Sequence, residues 1–430
     1  MKIVIHPQPT EWAALLARPA QDLRQLEAPV ADIMAEVRAR GDEALRAFTA
    51  RFDQVALDAL EVSAADIAAA AHQIDASLRA AIAVAAANIE RFHASQQHAQ
   101  EVVETMPGVR CWRRSVGIGR VGLYVPGGTA PLFSSVLMLA IPARLAGCRE
   151  VVLCTPPGPD GLPHPAILYA AGLTGVHRVF AVGGAQAIAA LTYGTATVPV
   201  VDKLFGPGNA YVTVAKQLAA KEGVAIDMPA GPSEVLVCAD DSARLDFVAA
   251  DLLSQAEHGA DSQVVLVCFD EAMARAALAE VERQLATLPR RELASRSIAN
   301  SVAIVVRDRV EALAIINAYA PEHLILAVRE PHALAEGVIN AGSVFLGNYT
   351  PESVGDYASG TNHTLPTNGF ARAFSGVSLD SFVKKITYQE LTPEGLARIA
   401  PTVEAMAAAE QLEGHRRAVA VRLQPDNQLK

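Results

Sequence analysis

From Gly122 to Asp227 short apolar strands alternate with helices, and Gly or Pro marks the turns between them. A strand at Gly122–Val125 leads through Pro126, Gly127 and Gly128 into a helix at Leu132–Leu145. Val151–Cys154 leads through Thr155, Pro156 and Pro157 into Pro165–Gly172, and Arg178–Val182 leads through Gly183 and Gly184 into Gln186–Tyr193. Val201–Phe205 leads through Gly206, Pro207 and Gly208 into Asn209–Ala220, and a last strand follows at Val224–Asp227. Repeated strand–helix units predict a parallel sheet with helices on both faces. A helix that starts at such a turn offers free N–H groups to a phosphate, although Gly also simply permits a tight turn. Several such turns at the same end of one sheet favour a nucleotide crevice.

A second alternating region begins at Ser233. Strands at Glu234–Ala239, Gln263–Phe269, Val302–Val306, Leu324–Val328 and Ser343–Leu346 are separated by helices at Ala243–His258, Glu271–Thr287, Val310–Tyr319 and Pro331–Val338. The two regions are alike in design, but no sequence repeat relates them. Residues 1 to roughly 110 read as mostly helical, with helical spacing over Val30–Gly41, Ala64–Ala71 and Leu78–His93. Asn348–His363 is polar, Gly-rich and not periodic, and a loop of that length in a compact domain is usually functional. Helices are expected again at Leu379–Lys385, Pro393–Ile399 and Thr402–Arg417. The expected fold class is therefore α/β: two Rossmann-like parallel-sheet domains with helical N-terminal and C-terminal extensions. In residue numbers, an extension over 1–20 precedes a discontinuous α/β domain made of 21–121 and 235–378. A nucleotide-binding-like α/β domain spans 122–234, and a helical extension spans 379–430.

Composition excludes several classes. At 430 residues the chain is long enough for two or three cores, and its net charge of −10 disfavours nucleic acid and anionic membranes as partners. The longest apolar run, Val136–Ile141, is far too short to span a bilayer, and the N-terminus lacks a signal-peptide core, so a cytoplasmic protein is expected. Cys111, Cys148, Cys154, Cys238 and Cys268 form no C-x-x-C pair and read as reduced thiols. Cys148 has no sequence-adjacent His or Asp to activate it. Gly117-Ile-Gly-Arg-Val-Gly122 matches G-x-G-x-x-G but is followed by the strand-like Val121–Val125 rather than a helix, which argues against a dinucleotide fingerprint.

The chemistry concentrates in three places. Asp251–Gly259 reads as a helix end on which Gln255 and His258, three apart, share a face. It is either a solvated helix end or a ligand site. With Asp356 from the long loop and His415 from the last helix, these residues make a nitrogen and oxygen set suited to zinc, and also to cobalt or manganese. Glu322-His323 places an acid beside an imidazole at a strand start, where both reach one site only if the backbone bends. Otherwise Glu322 is a surface carboxylate and His323 a core histidine.

Ser254-Gln-Ala-Glu-His258, Ala320-Pro-Glu-His-Leu324, Gly206-Pro-Gly-Asn209, Gly231-Pro-Ser-Glu234 and Gly355-Asp-Tyr-Ala-Ser-Gly-Thr-Asn-His363 together resemble the histidinol dehydrogenase family, in one order over essentially the whole chain. That resemblance implies oxidation of L-histidinol to L-histidine with two NAD⁺, through an aldehyde kept on the enzyme, at the end of histidine biosynthesis. It implies a zinc ion per subunit on Gln255, His258, Asp356 and His415, and an acid–base pair in Glu322 and His323. Ser233, Glu410 and His323 match positions that hold histidinol, beside the four metal ligands. Tyr124, Gln186 and Asn209 match positions lining the NAD site. The Glu410-Gln-Leu-Glu-Gly-His415 match is the least specific, since Glu410 and Glu413 are interchangeable there. The resemblance also implies a homodimer in which the C-terminal segment completes the partner's site.

These residue types suit the reaction. A neutral imidazole at His323 takes the alcohol proton as hydride leaves, and Glu322 activates water to hydrate the aldehyde. The metal that the resemblance implies would hold the substrate's imidazole and amine. Four protein ligands with two substrate atoms make six, more than the four usual for zinc. Two other readings keep the scaffold: a zinc- and NAD-dependent dehydrogenase of another amino alcohol, and a non-catalytic nucleotide or metal sensor. The sensor predicts substituted acid–base residues, and both are present.

Overall fold

A computed structural model describes residues 1–19, 23–127, 131–229 and 231–424. Gly128 of the first glycine turn and the end of the C-terminal extension lie outside the described residues. In chain order the strands are β1 (Lys2–Ile5), β2 (Val102–Met106), β3 (Val109–Gly117), β4 (Arg120–Tyr124), β5 (Glu150–Thr155), β6 (Arg178–Ala181) and β7 (Lys203–Phe205). They continue with β8 (Ala225–Ile226), β9 (Glu234–Ala239), β10 (Gln263–Cys268), β11 (Val302–Val305), β12 (His323–Ala327), β13 (Ser343–Leu346) and β14 (Val383–Leu391).

The chain divides into two compact units, one of residues 1–96 with 118–382, the other of 97–117 with 383–430. The first unit holds two parallel sheets, ordered β6-β5-β4-β7-β8 and β1-β11-β10-β9-β12-β13. Numbered within each region, both run 3-2-1-4-5, the order of a doubly wound dinucleotide fold. The two regions are thus topological duplicates, and β1 adds a parallel edge to the second. Every residue of β9, β10, β11 and β12 is buried, because helices cover both faces of the sheet and β-branched runs suit that setting.

Several sequence expectations give way here. The start of the expected extension over 1–20 joins a sheet, since β1 pairs with β11. Helices Arg24–Arg40 and Asp42–Phe52, expected to join 235–378, instead bury Val30, Met34, Val37, Leu45 and Phe48 with the core of the five-stranded sheet. Strand β2 and the start of β3 stand where helix is expected up to roughly residue 110. The match at Gly117–Gly122 therefore does follow a strand, but it joins β3 to β4 and no helix follows. The C-terminal extension is not all helical. A short 3-10 turn, Leu379–Phe382, precedes β14, which pairs antiparallel with β3 through nine residues. Its Lys384, Lys385, Thr387 and Gln389 carry no apolar stripe, so no period marked it as a strand. Within the second unit, β14-β3-β2 is accompanied by helices Pro393–Ala409 and Glu413–Ala420.

Candidate active site

In open α/β sheets ligands ordinarily sit beyond the carboxyl ends of the strands. The five-stranded sheet carries its candidate residues there. Tyr124 ends β4, and its hydroxyl oxygen accepts the N–H of Gly184 at 3.0 Å, at the start of helix Gly184–Tyr193. Gln186 lies buried in the first turn of that helix. Asn209 caps helix Ala210–Lys221, its Oδ1 accepting from Val212 N–H at 3.1 Å. The turn before it needs glycine: Gly206 has φ +123°, and a Cβ there would lie 2.0 Å from the Tyr124 carbonyl oxygen. Tyr124, Gln186 and Asn209 line one cavity of about 860 Å³ with Gly127, Pro156 and Gly184. Burial pushes the Tyr124 hydroxyl up to about 12, so it remains a neutral hydrogen-bonding group at physiological pH.

The six-stranded sheet does the opposite. Its candidate site residues lie at the amino ends of the strands. Ser233 immediately precedes β9, and Glu322 and His323 stand at the start of β12. Helix Leu245–Ala256 follows β9 and runs back, so Gln255 in its last turn and His258 just beyond arrive at the same edge. The expected loop contains a short helix, Glu352–Tyr357, led by Pro351, and it carries Glu352 and Asp356 one turn apart. Ser233 and His258 line a crevice of about 1000 Å³ that also reaches Asn209, so it opens from one sheet's chemistry to the other's glycine turn.

The backbone bend needed for the acid–base pair is at Ala320. That residue ends helix Arg309–Tyr319 in the left-handed region, φ 53° and ψ 64°, an uncommon conformation for alanine. Pro321 and Glu322 then enter β12. Glu322 Oε2 lies 3.6 Å from His323 Nδ1 and accepts the Glu234 N–H at 2.9 Å. His323 Nδ1 lies 3.2 Å from the Glu234 carbonyl, and Nε2 points to Asp356 Oδ1 at 3.5 Å. In the neutral ring a donor at Nδ1 leaves the lone pair on Nε2. Nε2 is buried and makes no hydrogen bond among the described residues, so it is an atom awaiting a partner.

Ligand atoms of His258, Glu352 and Asp356 all lie within 4.8 Å of one another, a spacing that suits a metal ion. Gln255 is fully buried, and its amide is satisfied with nitrogen toward Glu352, donating to Oε1 at 2.8 Å and Oε2 at 3.2 Å. Its oxygen is then the atom left for a cation. Burial pushes the Glu352 carboxyl well above the usual range, and pushes Asp251 in the preceding turn up to about 7. Glu322 rises to about 8, first because it is buried. Burial alone would lower His323, but Glu322, Glu352 and Asp356 outweigh it and raise the imidazole to about 10. Burial would also raise Asp356, and His323, His363 and His258 hold it down instead. The carboxylates gathered in this buried place outnumber the positive charge beside them, and a divalent cation would add to it. His258 is lowered by burial and offers the neutral ring a metal needs.

The structure therefore brings Gln255, His258, Glu322, His323 and Asp356 together, with Ser233 on the same crevice as His258. Glu410 follows helix Pro393–Ala409 and His415 lies on helix Glu413–Ala420, both exposed and both in the second unit. Burial raises the Cys148 thiol to about 11, which leaves little of the thiolate a nucleophile needs. Sequence reading assigned no role to Glu352, Glu234 or Arg18. The four-residue spacing of Glu352 and Asp356 is the signal in the sequence that points to them.

A family model for histidinol dehydrogenase matches residues 16–423. The chain is 59% identical over 423 residues to the histidinol dehydrogenase of Bacteroides thetaiotaomicron, covering 98% of this chain and 99% of that one. It is 54% identical over 412 residues to that of Escherichia coli O6:H1, covering 95% and 94%. The crystal structure of histidinol dehydrogenase from Elizabethkingia anophelis superposes with a TM-score of 0.97 at 52% identity, over 98% of both chains.

Proposed function

The chain belongs to the histidinol dehydrogenase family, and from that premise we propose how its residues divide the work. The reaction is the NAD-dependent oxidation of L-histidinol to L-histidine through L-histidinaldehyde, the last steps of histidine biosynthesis. Overall, alcohol, water and two NAD⁺ give carboxylate, two NADH and three protons.

The observation that carries the assignment is the buried Nε2 of His323, which makes no hydrogen bond among the described residues, with the Glu234 carbonyl against Nδ1. His323 Nε2 takes the hydroxyl proton as the carbinol carbon loses hydride to the first NAD⁺. Glu322, held against it at 3.6 Å, takes a proton from the water that adds to the aldehyde carbon, in the ionised form that a neighbouring cation would favour. His323 returns its proton to the aldehyde oxygen as the water adds, then takes a hydroxyl proton from the hydrate as the second hydride leaves, and the acid formed loses its last proton to give the carboxylate.

Gln255, His258 and Asp356, with the partner subunit's His415, would hold one zinc ion per subunit. Glu352 anchors the Gln255 amide from behind, as outer groups commonly orient metal ligands. When bound, the cation offsets the surrounding carboxylate charge, which favours the neutral form of His323, and gives the substrate's imidazole and amine a fixed seat. Tyr124, Gln186 and Asn209 line the NAD cavity, where two helix starts supply N–H groups to the phosphates. Ser233 and the partner subunit's Glu410 hold histidinol. Glu413 is engaged by Arg416 and Arg417, which makes Glu410 the better candidate of the two.

The enzyme acts as a homodimer with shared sites. In the second unit β2 is exposed along its length, and Val102, Val103, Met106, Ile386, Met406 and Leu412 present apolar surface that a second copy would cover. A cytoplasmic setting suits the five unpaired cysteines, and no helix among the described residues is long and apolar enough to cross a membrane.

The substrate is tested by comparing histidinol with the same amino alcohol lacking its imidazole, on zinc-loaded and chelator-stripped enzyme. Zinc-dependent turnover of histidinol alone is expected. Equal turnover of both would favour a dehydrogenase of another amino alcohol.

A further inference from the structure

Glu234 is a glutamate at the head of an otherwise apolar strand, and only 1% of it is exposed. It sits beside the Glu322 carboxylate, an arrangement that is unfavourable unless a cation pairs with it. Arg18, from the segment after helix Pro9–Leu15, is that cation. Its Nε donates to Glu234 Oε2, and its Nη2 donates to Oε1 at 2.7 Å, the forked geometry specific to arginine. Nη2 also donates to the Tyr319 carbonyl at 2.7 Å, and the guanidinium lies 4.1 Å over the Tyr319 ring. Tyr319 is the last residue of the helix whose end leads through Ala320 and Pro321 to Glu322. Its hydroxyl donates to Gln263 at 2.9 Å, which fixes the ring. Arg18 thus ties Glu234 to the turn that carries the acid–base pair.

Residue 234 in turn contacts that pair three times. Its N–H donates to Glu322 Oε2 at 2.9 Å, its Oε1 accepts the Glu322 N–H at 3.3 Å, and its carbonyl lies 3.2 Å from His323 Nδ1. These are the contacts that aim the Glu322 carboxylate and choose the His323 tautomer. We propose that Arg18 and Glu234 are positioning residues for the oxidation, a buried ion pair that holds Glu322 and His323 in their reactive orientation. The inference rests on the roles given above to Glu322 and His323. Neither Arg18 nor Glu234 is asked to move a proton, since His323 Nε2 remains the atom facing substrate.

The test uses zinc-loaded Arg18→Ala, Arg18→Lys and Glu234→Gln, with kcat, KM for histidinol, zinc content and the pH profile of kcat measured for each. Misplacing a reacting group by about 1 Å lowers rates by about 100-fold, so Arg18→Ala should lose kcat on that order while KM and zinc content change by less than about threefold. Guanidinium ion at tens of millimolar should recover about a tenth of the lost rate or more in Arg18→Ala and leave the wild type unchanged. Arg18→Lys keeps the charge without the fork and should fall between, with a displaced pH profile. A kcat in Arg18→Ala close to wild type, a loss confined to KM, or no guanidinium rescue would overturn the proposal. If Arg18→Ala and Glu234→Gln fail to fold, Arg18→Lys decides: a wild-type kcat and pH profile refutes positioning. A wild-type enzyme that makes no NADH from histidinol would instead refute the dehydrogenase reading itself.

Discussion

Glu322 Oε2 and His323 Nδ1 stand 3.6 Å apart at the start of β12, although neighbours within a strand point to opposite faces. The left-handed turn at Ala320 delivers Glu322 before the strand pleat begins, so both side chains serve one site. The pairing predicts a division of labour. Glu322→Gln should impair oxidation of the aldehyde more than that of the alcohol, because only the second step needs activated water. His323→Ala should impair both, by about 100-fold or more for loss of a general base. Single-turnover NADH traces started from alcohol and from aldehyde separate the steps. Equal loss in both for Glu322→Gln would contradict the assignment.

Shared sites predict complementation. His323→Ala and His415→Ala should each be inactive alone. In a mixed dimer one site collects both lesions and the other has none. Random reassociation makes about half the dimers mixed, so about a quarter of all sites should recover. The two variants are unfolded together, refolded with zinc and assayed. No recovered activity, with mixed dimers confirmed by differential tagging, would refute sharing.

Asp251 predicts a pH effect on stability. Burial raises its carboxyl to about 7, above the unfolded value of about 3.9. The native state therefore keeps a proton that the unfolded chain releases. Stability from this group is fully present below pH about 4, declines as pH rises toward 7, and stays lost above it. The full effect is at most about 4 kcal/mol. In metal-free protein Asp251→Asn should melt higher than wild type at pH 8 and alike at pH 4. A difference that is the same at both pH values would falsify the link to Asp251 ionisation.

Much of this was legible in the sequence, for physical reasons. Parallel sheets buried on both faces leave unbroken apolar runs such as Val264–Val267, and tight turns demand residues such as Gly206, so both sheets could be read. β14 could not, because its polar residues carry no buried face in the chain. Helix Glu352–Tyr357 is one and a half turns long and contains Ser353 and Gly355, too short for a period to show. The Arg18–Glu234 pair joins residues 216 apart, and no local pattern announces such a contact.

The central claim is a four-electron oxidation at one site, and the count of NADH per histidine formed tests it most directly. Purified zinc-loaded enzyme is given limiting L-histidinol with excess NAD⁺, NADH is followed by absorbance, and histidine is quantified by mass spectrometry. The account predicts two NADH for every histidine, with no aldehyde accumulating in solution. One NADH per histidinol consumed, with free aldehyde as the product, would contradict it.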